Sequence, residues 1–244
     1  MEPAPHTCNY DAVKNPGALI PHRFHFQGKE VEDSFLMNFA IGALGRSLVF
    51  LVESRQVLKA PLLASVAAYY SLFHFCGFMM LSCPRFLTDR TREEMDKAMD
   101  LDDDPAKKIG HRDVLPFLDK CTDPNGLLRS VRYAFDQMKE LRNEMNYGPR
   151  LRLVNGKPSF GFCDQKPADV VNLVTQLEGV LRDGLRWTYA TAINAREQIP
   201  MVVSGASQIF ENDGERYNGC ISREVALEAE RLRHELEQII PQPG

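Results

Sequence analysis

The positions of hydrophobic and polar residues repeat with a helical period over most of this chain. From Lys29 to about Leu58, apolar residues recur every three or four positions, and acidic residues occupy the first turn, where the helix dipole favours them. A second apolar stretch begins with Pro61, a suitable first residue for a helix, and continues to Ser82. Two long helices joined by a few residues predict an antiparallel helical hairpin.

The pattern changes between residues 84 and 126 and then becomes helical again. Short helices are predicted at Arg92–Met99 and Asp113–Asp119, broken by acidic and turn-forming residues. From Leu127 to Tyr147 the apolar residues return to one face, which predicts a third long helix that ends at Gly148-Pro149.

The C-terminal part of the chain combines one β pattern with two further helices. Residues 151–154 and 159–162 flank an Asn-Gly pair, which is a strong short-range signal for a β-hairpin. A fourth long helix is predicted from Pro167 to Glu197, a turn-rich segment at 201–220, and a charged helix from Ser222 to Ile240.

Together these elements predict an all-α protein. We expect an up-down bundle of four to five core helices, with a small β-hairpin insertion and a C-terminal helix. Residues 1–28 are expected to form an irregular N-terminal lead, residues 29–199 the helical bundle, and residues 200–244 a linker followed by the charged helix.

The run Leu62–Leu81 is long enough to cross a membrane, since its 20 residues include no Asp, Glu, Lys or Arg. It also contains serine, tyrosine and histidine side chains, and no second run of its kind accompanies it. The central helix of an all-α bundle has the same composition. We therefore expect a buried core helix.

Composition favours a cytoplasmic protein without a global attraction for nucleic acid. The chain has 29 Lys and Arg against 33 Asp and Glu, a net charge of −4, so any RNA contact must come from a local basic region. Its six cysteines are scattered without metal-ligand spacing, which is typical of free thiols in a reducing compartment. Residues 1–25 lack the apolar segment of a signal peptide.

The common catalytic and cofactor-binding motifs are missing from the sequence. It contains no Gly-x-Gly-x-x-Gly, no Walker loop, no Gly-x-Ser-x-Gly and no His-Glu-x-x-His. The acidic run at 100–105 predicts a solvated surface, because its consecutive carboxylates point in different directions. We therefore expect no cofactor and no metal site.

The candidate functional residues lie at the end of the third long helix. Arg142, Asn143, Asn146 and Tyr147 fall on adjoining faces, since the first and third, and the second and fourth, are one turn apart. Arginine suits bidentate phosphate contact, asparagine suits amide hydrogen bonds, and tyrosine can stack on a base. These four residues therefore predict a site for RNA or a nucleotide.

Several basic residues surround this site and are candidates for RNA binding. They are Arg129, Arg132, Lys139, Arg150 and Arg152. A purely structural alternative stays open, in which cationic side chains stabilise the negative end of the helix and the tyrosine packs into the bundle.

Three segments resemble HEPN domains. The run Ala67–His74 is similar to the second core helix of that family, and Leu141–Gly148 resembles its terminal signature. Gly110–Leu118 resembles a segment beginning with histidine that one HEPN subgroup carries between these helices. The resemblance covers roughly residues 30–195.

This resemblance implies a helical bundle that acts on RNA. Many HEPN proteins are dimeric, metal-independent ribonucleases, or toxins held by a nucleotidyltransferase partner. Their motif separates an arginine from a histidine by four to six residues, with a polar residue after the arginine. Arg142 and Asn143 match its first two positions, but Asn146 or Tyr147 stands in place of the histidine. A subgroup with Arg-x-x-x-Asp/Asn-Tyr at this place is the closer likeness.

The missing histidine matters because metal-independent cleavage needs a group that exchanges protons near neutral pH. Asparagine cannot do so, and tyrosine titrates near 10. His111, in a Gly-His-Arg-Asp turn, is the candidate substitute acid or base. His74 lies in the apolar run, where a structural role is expected, and Tyr70 either belongs to the core or lines the same cleft.

The missing histidine favours recognition over cleavage, so the first of three functions is the expectation and the other two are alternatives. The first is an RNA- or nucleotide-binding protein of a prokaryotic defence or toxin-antitoxin system, with weak or no ribonuclease activity. The second is a metal-independent endoribonuclease that uses Arg142 with His111 or Tyr147. The third is a scaffolding subunit that binds a partner protein through its charged C-terminal helix. A homodimer, and a nucleotidyltransferase or other protein partner, are the assemblies that the resemblance implies.

Overall fold

The computed structural model describes residues 23–26, 29–100, 105–147, 150–161, 167–192, 196–210 and 221–240. Within them the fold is all-α, with the long helices in up-down order, as the sequence pattern predicts. The helices are α1 (Asp33–Gln56), α2 (Pro61–Ser82), α3 (Asp89–Asp100), α4 (His111–Lys120), α5 (Leu127–Tyr147), α6 (Pro167–Thr191), α7 (Ile199–Gly205) and α8 (Arg223–Gln238). Three single turns of 3₁₀-helix lie at Pro84–Phe86, Pro105–Lys108 and Arg196–Gln198.

Local capping residues explain where several helices begin. Pro61 lies in the first turn of α2, where its missing N–H has no helical partner to lose. The carboxylate of Asp123 accepts hydrogen bonds from the backbone N–H groups of Leu127 and Leu128, both at 2.9 Å, at the start of α5. Ser222 caps α8 by accepting from the N–H of Val225 at 3.3 Å.

Helix α2 is the centre of the bundle. It packs against α1, α5, α6 and α4, and its buried side chains include Leu72, Phe75, Phe78 and Met79, each fully enclosed. Among the described residues α2 is the one helix long and apolar enough to cross a membrane, and 61% of its most apolar window is buried inside the bundle. The protein itself therefore covers most of the surface that a membrane would otherwise contact.

The predicted helix start at Lys29 is wrong. Lys29–Glu32 forms a short strand, β2, which pairs antiparallel with β1 (Arg23–Phe26), and α1 begins only at Asp33. The expected irregular lead is also wrong at 23–26, while residues 1–22 lie outside the described residues. Apolar residues alternate with polar ones in this segment, and that period of two is typical of a strand.

The predicted turn-rich segment after Pro200 is wrong over its first half. Residues 199–205 form α7, whose buried side chains include Val202 and Val203. Residues 207–210 form a further helical turn. The fit against α1 is close, since a Cβ at Gly45 would lie 2.5 Å from Cγ1 of Ile209. This part of the chain therefore belongs to the core, and residues 211–220 lie outside the described residues.

Helix α6 ends earlier than predicted, at Thr191 instead of Glu197. A second pair of strands, β3 (Arg150–Val154) and β4 (Lys157–Gly161), runs antiparallel around Asn155 and Gly156. Both turn residues have positive φ, 53° and 76°, a conformation that asparagine and glycine tolerate best. The charged C-terminal helix α8 packs against α1 and α7.

Candidate functional site

His111 is the first residue of α4, and its ring lies against α2. The carboxylate Oδ2 of Asp113 accepts a hydrogen bond from the N–H of Gly110 at 2.7 Å, which fixes the start of the helix. The imidazole lies 4.3 Å from the ring of Phe73 and 5.4 Å from that of Tyr69, measured between ring centroids. An aromatic wall of α2 therefore holds the orientation of His111.

Tyr69 makes a direct hydrogen bond to this histidine. Its hydroxyl oxygen lies 2.5 Å from Nδ1 of His111, while the rest of its side chain is buried at 1% exposure. A rigid, buried phenol defines one side of the imidazole, so the other ring nitrogen, Nε2, is the one left for a ligand.

Arg142 reaches the same tyrosine from α5. Its guanidinium carbon lies 5.6 Å from the centroid of the Tyr69 ring, within the range of a cation–π contact. Its Nη1 donates a hydrogen bond to Oδ1 of Asn143 at 3.1 Å. Helices α2, α4 and α5 therefore bring together Tyr69, His111 and Arg142, and with Lys139 of α5 we call these residues the His111 cluster.

Burial and two neighbouring cations favour the neutral form of His111. Burial lowers the pKa of its imidazole, and the positive charges of Arg142 and Lys139 lower that pKa further. A neutral imidazole has one nitrogen free to accept a proton. The surrounding cations also favour an anion at this position, so the cluster combines a proton acceptor with a site of positive potential.

His74 has a different environment. Its ring stacks on Phe50 at 5.5 Å with an angle of 13° between the planes, and lies 5.4 Å from Phe73. Burial first, and then the charge of Arg46 and the proximity of His111, lower its pKa to about 3. His74 is therefore uncharged at neutral pH and cannot supply a proton there, in agreement with the structural role predicted for it.

The predicted site residues are only partly brought together. Arg142 contacts Asn143 directly and shares the Tyr69 side chain with His111. Asn146 and Tyr147 lie in the last turn of α5, but their side chains are outside the described residues, as are those of Arg150 and Arg152 in β3.

Two of the basic residues predicted to bind RNA, Arg129 and Arg132, do not form one surface with the His111 cluster. Arg129 and Arg132 lie roughly 15–20 Å along α5 from Arg142, at 1.5 Å per residue. Arg132 forms an ion pair with Asp119, and exposed carboxylates of α5, Asp136 and Glu140, interrupt the positive face. Of the three predicted residues whose side chains the structure describes, Arg129, Arg132 and Lys139, it is Lys139 whose charge lowers the pKa of His111.

Two residues of this region are not among the predicted site residues. Tyr69 is hidden in an apolar run where a tyrosine is expected to be core. Arg46 interrupts the apolar pattern of α1, which is the signal that could have marked it, because a charged residue on a buried face needs a reason to be there. Its Nε is buried and has no hydrogen-bond partner among the described residues.

Among the described residues, no group of three or more His, Cys, Asp or Glu side chains could hold a metal ion. The acidic residues 101–104 lie outside them. What the described residues offer is a histidine whose pKa is lowered by burial and by an arginine and a lysine, hydrogen-bonded to the hydroxyl of a buried tyrosine. Such a set can bind an anionic oxygen and accept one proton.

Comparisons of the chain with protein-family models, with curated proteins and with solved structures find no match.

Proposed function

We propose that the protein binds the phosphate backbone of RNA at the His111 cluster and cleaves it without a metal ion. The observation that carries the proposal is that His111 is hydrogen-bonded to Tyr69, whose ring lies within cation–π distance of Arg142. This histidine comes from a different helix than the arginine, so it can take the place of the one missing from the Arg-x-x-x-Asn-Tyr sequence.

The reaction follows from the two nitrogens of the imidazole. When Nδ1–H donates to the hydroxyl oxygen of Tyr69, Nε2 has a free lone pair that accepts the proton of a ribose 2′-hydroxyl. The 2′-oxygen attacks the adjacent phosphorus, the bond to the 5′-oxygen breaks, and a 2′,3′-cyclic phosphate forms. Arg142 and Lys139 stabilise the charge that develops on the phosphoryl oxygens.

The leaving 5′-oxygen needs a proton that His74 cannot give, because the pKa of His74 is about 3. In the homodimer implied by the resemblance to HEPN domains, His111 has the same lowered pKa in both copies, so this proton comes from solvent water. The same resemblance supports a cytoplasmic role in a prokaryotic defence or toxin-antitoxin system, with a nucleotidyltransferase as one class of protein partner.

A second candidate function is RNA binding without cleavage. It is favoured by the same property of His74, which leaves one histidine per chain for proton transfer in the described part of the site. Binding needs only the cations, whereas cleavage needs both an acid and a base.

The test is cleavage of a fluorescently labelled single-stranded RNA in excess EDTA by the purified chain. We expect a 2′,3′-cyclic phosphate product, and we expect Arg142→Ala and His111→Gln each to lower the rate by about 100-fold or more. Arg223→Ala removes an exposed arginine of α8 and is the matched control, with an expected rate equal to the wild type.

The outcomes separate the candidates. Binding without any product, lost in Arg142→Ala, leaves recognition as the function. If RNA is neither bound nor cut at low salt, both RNA functions are wrong and a scaffolding role through α8 becomes the better hypothesis. Binding that resists high salt would contradict a phosphate contact, because release of counterions makes such binding salt-dependent.

A further inference from the structure

A set of partly exposed aromatic rings lies directly beside the His111 cluster. We call Phe50 of α1 and Tyr70, Phe73 and His74 of α2 the aromatic patch. Each of these side chains is half-buried, whereas the core rings of Phe75, Phe78, Phe117 and Phe135 are fully enclosed. The patch therefore presents ring surface that the bundle does not cover.

The rings form a continuous series that ends at the candidate phosphate site. Phe50 lies 5.5 Å from His74 in a stacked arrangement and 5.7 Å from Tyr70. Phe73 lies 5.4 Å from His74 and 4.3 Å from His111. A ligand with alternating anionic and flat apolar parts can contact the cations and the rings together.

The charges around the patch select an anionic ligand. Arg46 lies close enough to lower the pKa of His74, and Arg142 and Lys139 lower that of His111. His74 itself stays neutral, so its ring acts as an apolar surface beside these cations. Cations next to exposed aromatic rings are the combination that single-stranded nucleic acids require, with phosphates on the charges and bases stacked on the rings.

We propose that the aromatic patch is a stacking site for an unpaired base next to the phosphate bound at the His111 cluster, so that the protein selects single-stranded RNA. This proposal rests on the proposed function of the His111 cluster, because the phosphate contact places the base. The bases of a duplex are stacked on each other and cannot reach the rings.

The test compares two oligonucleotides that differ only in their bases. One is a short fluorescein-labelled 2′-O-methyl oligouridylate, which cannot be cleaved because the attacking hydroxyl is blocked, and the other is its abasic counterpart. By fluorescence anisotropy, we expect the wild type to bind the oligomer with bases about tenfold more tightly. Phe50→Leu and Phe73→Leu keep apolar volume without a ring face, and each should reduce this preference.

Phe86→Leu is the matched control, since Phe86 is half-buried but packs against Phe117 and Trp187 on another part of the bundle. It should keep the full preference. Arg142→Ala should weaken both oligomers equally. Circular dichroism melting of each variant separates a loss of fold from a loss of stacking.

Three results would overturn the stacking site. Equal binding of both oligomers by the wild type refutes it while leaving the phosphate site intact. If neither oligomer binds, the proposed function fails and the stacking site fails with it. If Phe50→Leu turns a dimer into a monomer in light scattering and the base preference is unchanged, the patch is a subunit interface instead.

Discussion

The neutral state of His74 makes the stability of the fold sensitive to acid. The pKa of this imidazole is about 3 in the folded protein, against 6.5 for an unperturbed histidine. Below pH 6.5 the unfolded chain takes up a proton at this position and the folded chain does not. Protonation therefore favours unfolding. The contribution of neutral His74 to the free energy of unfolding is fully present above pH 6.5 and is lost progressively as the pH falls towards 3.

The size of the effect follows from the difference between the pKa values of His74 in the unfolded and the folded chain. Between these two values, each pH unit changes the free energy of unfolding by about 1.4 kcal/mol. Between pH 7 and pH 5, His74 alone should lower the free energy of unfolding by about 2 kcal/mol. His74→Leu removes the titrating group, so this variant should lose about 2 kcal/mol less than the wild type over the same interval.

Urea unfolding followed by circular dichroism at pH 7 and pH 5 measures both values. Phe73→Leu is the matched control, because it alters the packing around His74 and leaves the imidazole in place. It should be less stable than the wild type at both pH values by a similar amount. Equal acid losses in the wild type and His74→Leu would show that His74 is charged, or solvated, in the folded state, and would refute the reasoning.

Three further predictions concern the site and the core. Arg142→Ala should raise the pKa of His111 in an NMR titration, because it removes a neighbouring positive charge that lowers this pKa, and an unchanged pKa would contradict the placement of Arg142. Tyr69→Phe should lower kcat for RNA cleavage about tenfold with little change in KM, since the hydroxyl orients the imidazole and does not bind substrate. Gly184→Ala should destabilise the bundle by about 1–3 kcal/mol in thermal unfolding, because its methyl group would overlap a buried phenylalanine ring of α2. Gly179→Ala has open space around the added methyl group and should stabilise α6 by up to about 1 kcal/mol.

The helical bundle could be predicted because its long helices carry strong local signals. Pro61 marks the start of α2, and the apolar period of α5 extends without interruption to its last turn. Such signals act within a few residues of sequence, so no knowledge of the tertiary structure is needed to find them.

The segment at 199–210 is helical although its glycine and serine residues predict turns. In the folded protein they serve close packing between helices. A Cβ at Gly205 would lie 3.0 Å from Cδ1 of Ile41, and Gly45 makes room for Ile209 in the same way. Small residues at a helix contact and small residues in a turn give the same sequence pattern, and only the tertiary structure separates them.

The contacts of the candidate site also depend on tertiary structure that the sequence pattern does not reveal. Arg142 could be named from sequence because it lies in a polar group at the end of the third long helix, and His111 because it lies in a Gly-His-Arg-Asp turn. The hydrogen bond between Tyr69 and His111 joins residues 42 positions apart, and the stacking of Phe50 on His74 joins two different helices. The sequence contains no local sign of either contact, because both depend on how α1, α2 and α4 pack.

The central position of α2 has a consequence for how the chain is made. This uncharged helix ends at Ser82, but two of the helices that cover it, α5 and α6, begin at Leu127 and Pro167. At a synthesis rate of 5–20 residues per second, the nascent chain lacks that cover for on the order of ten seconds. During this interval α2 is the segment that a chaperone or a membrane surface captures most readily, so slow translation before α6 should lower the yield of folded protein.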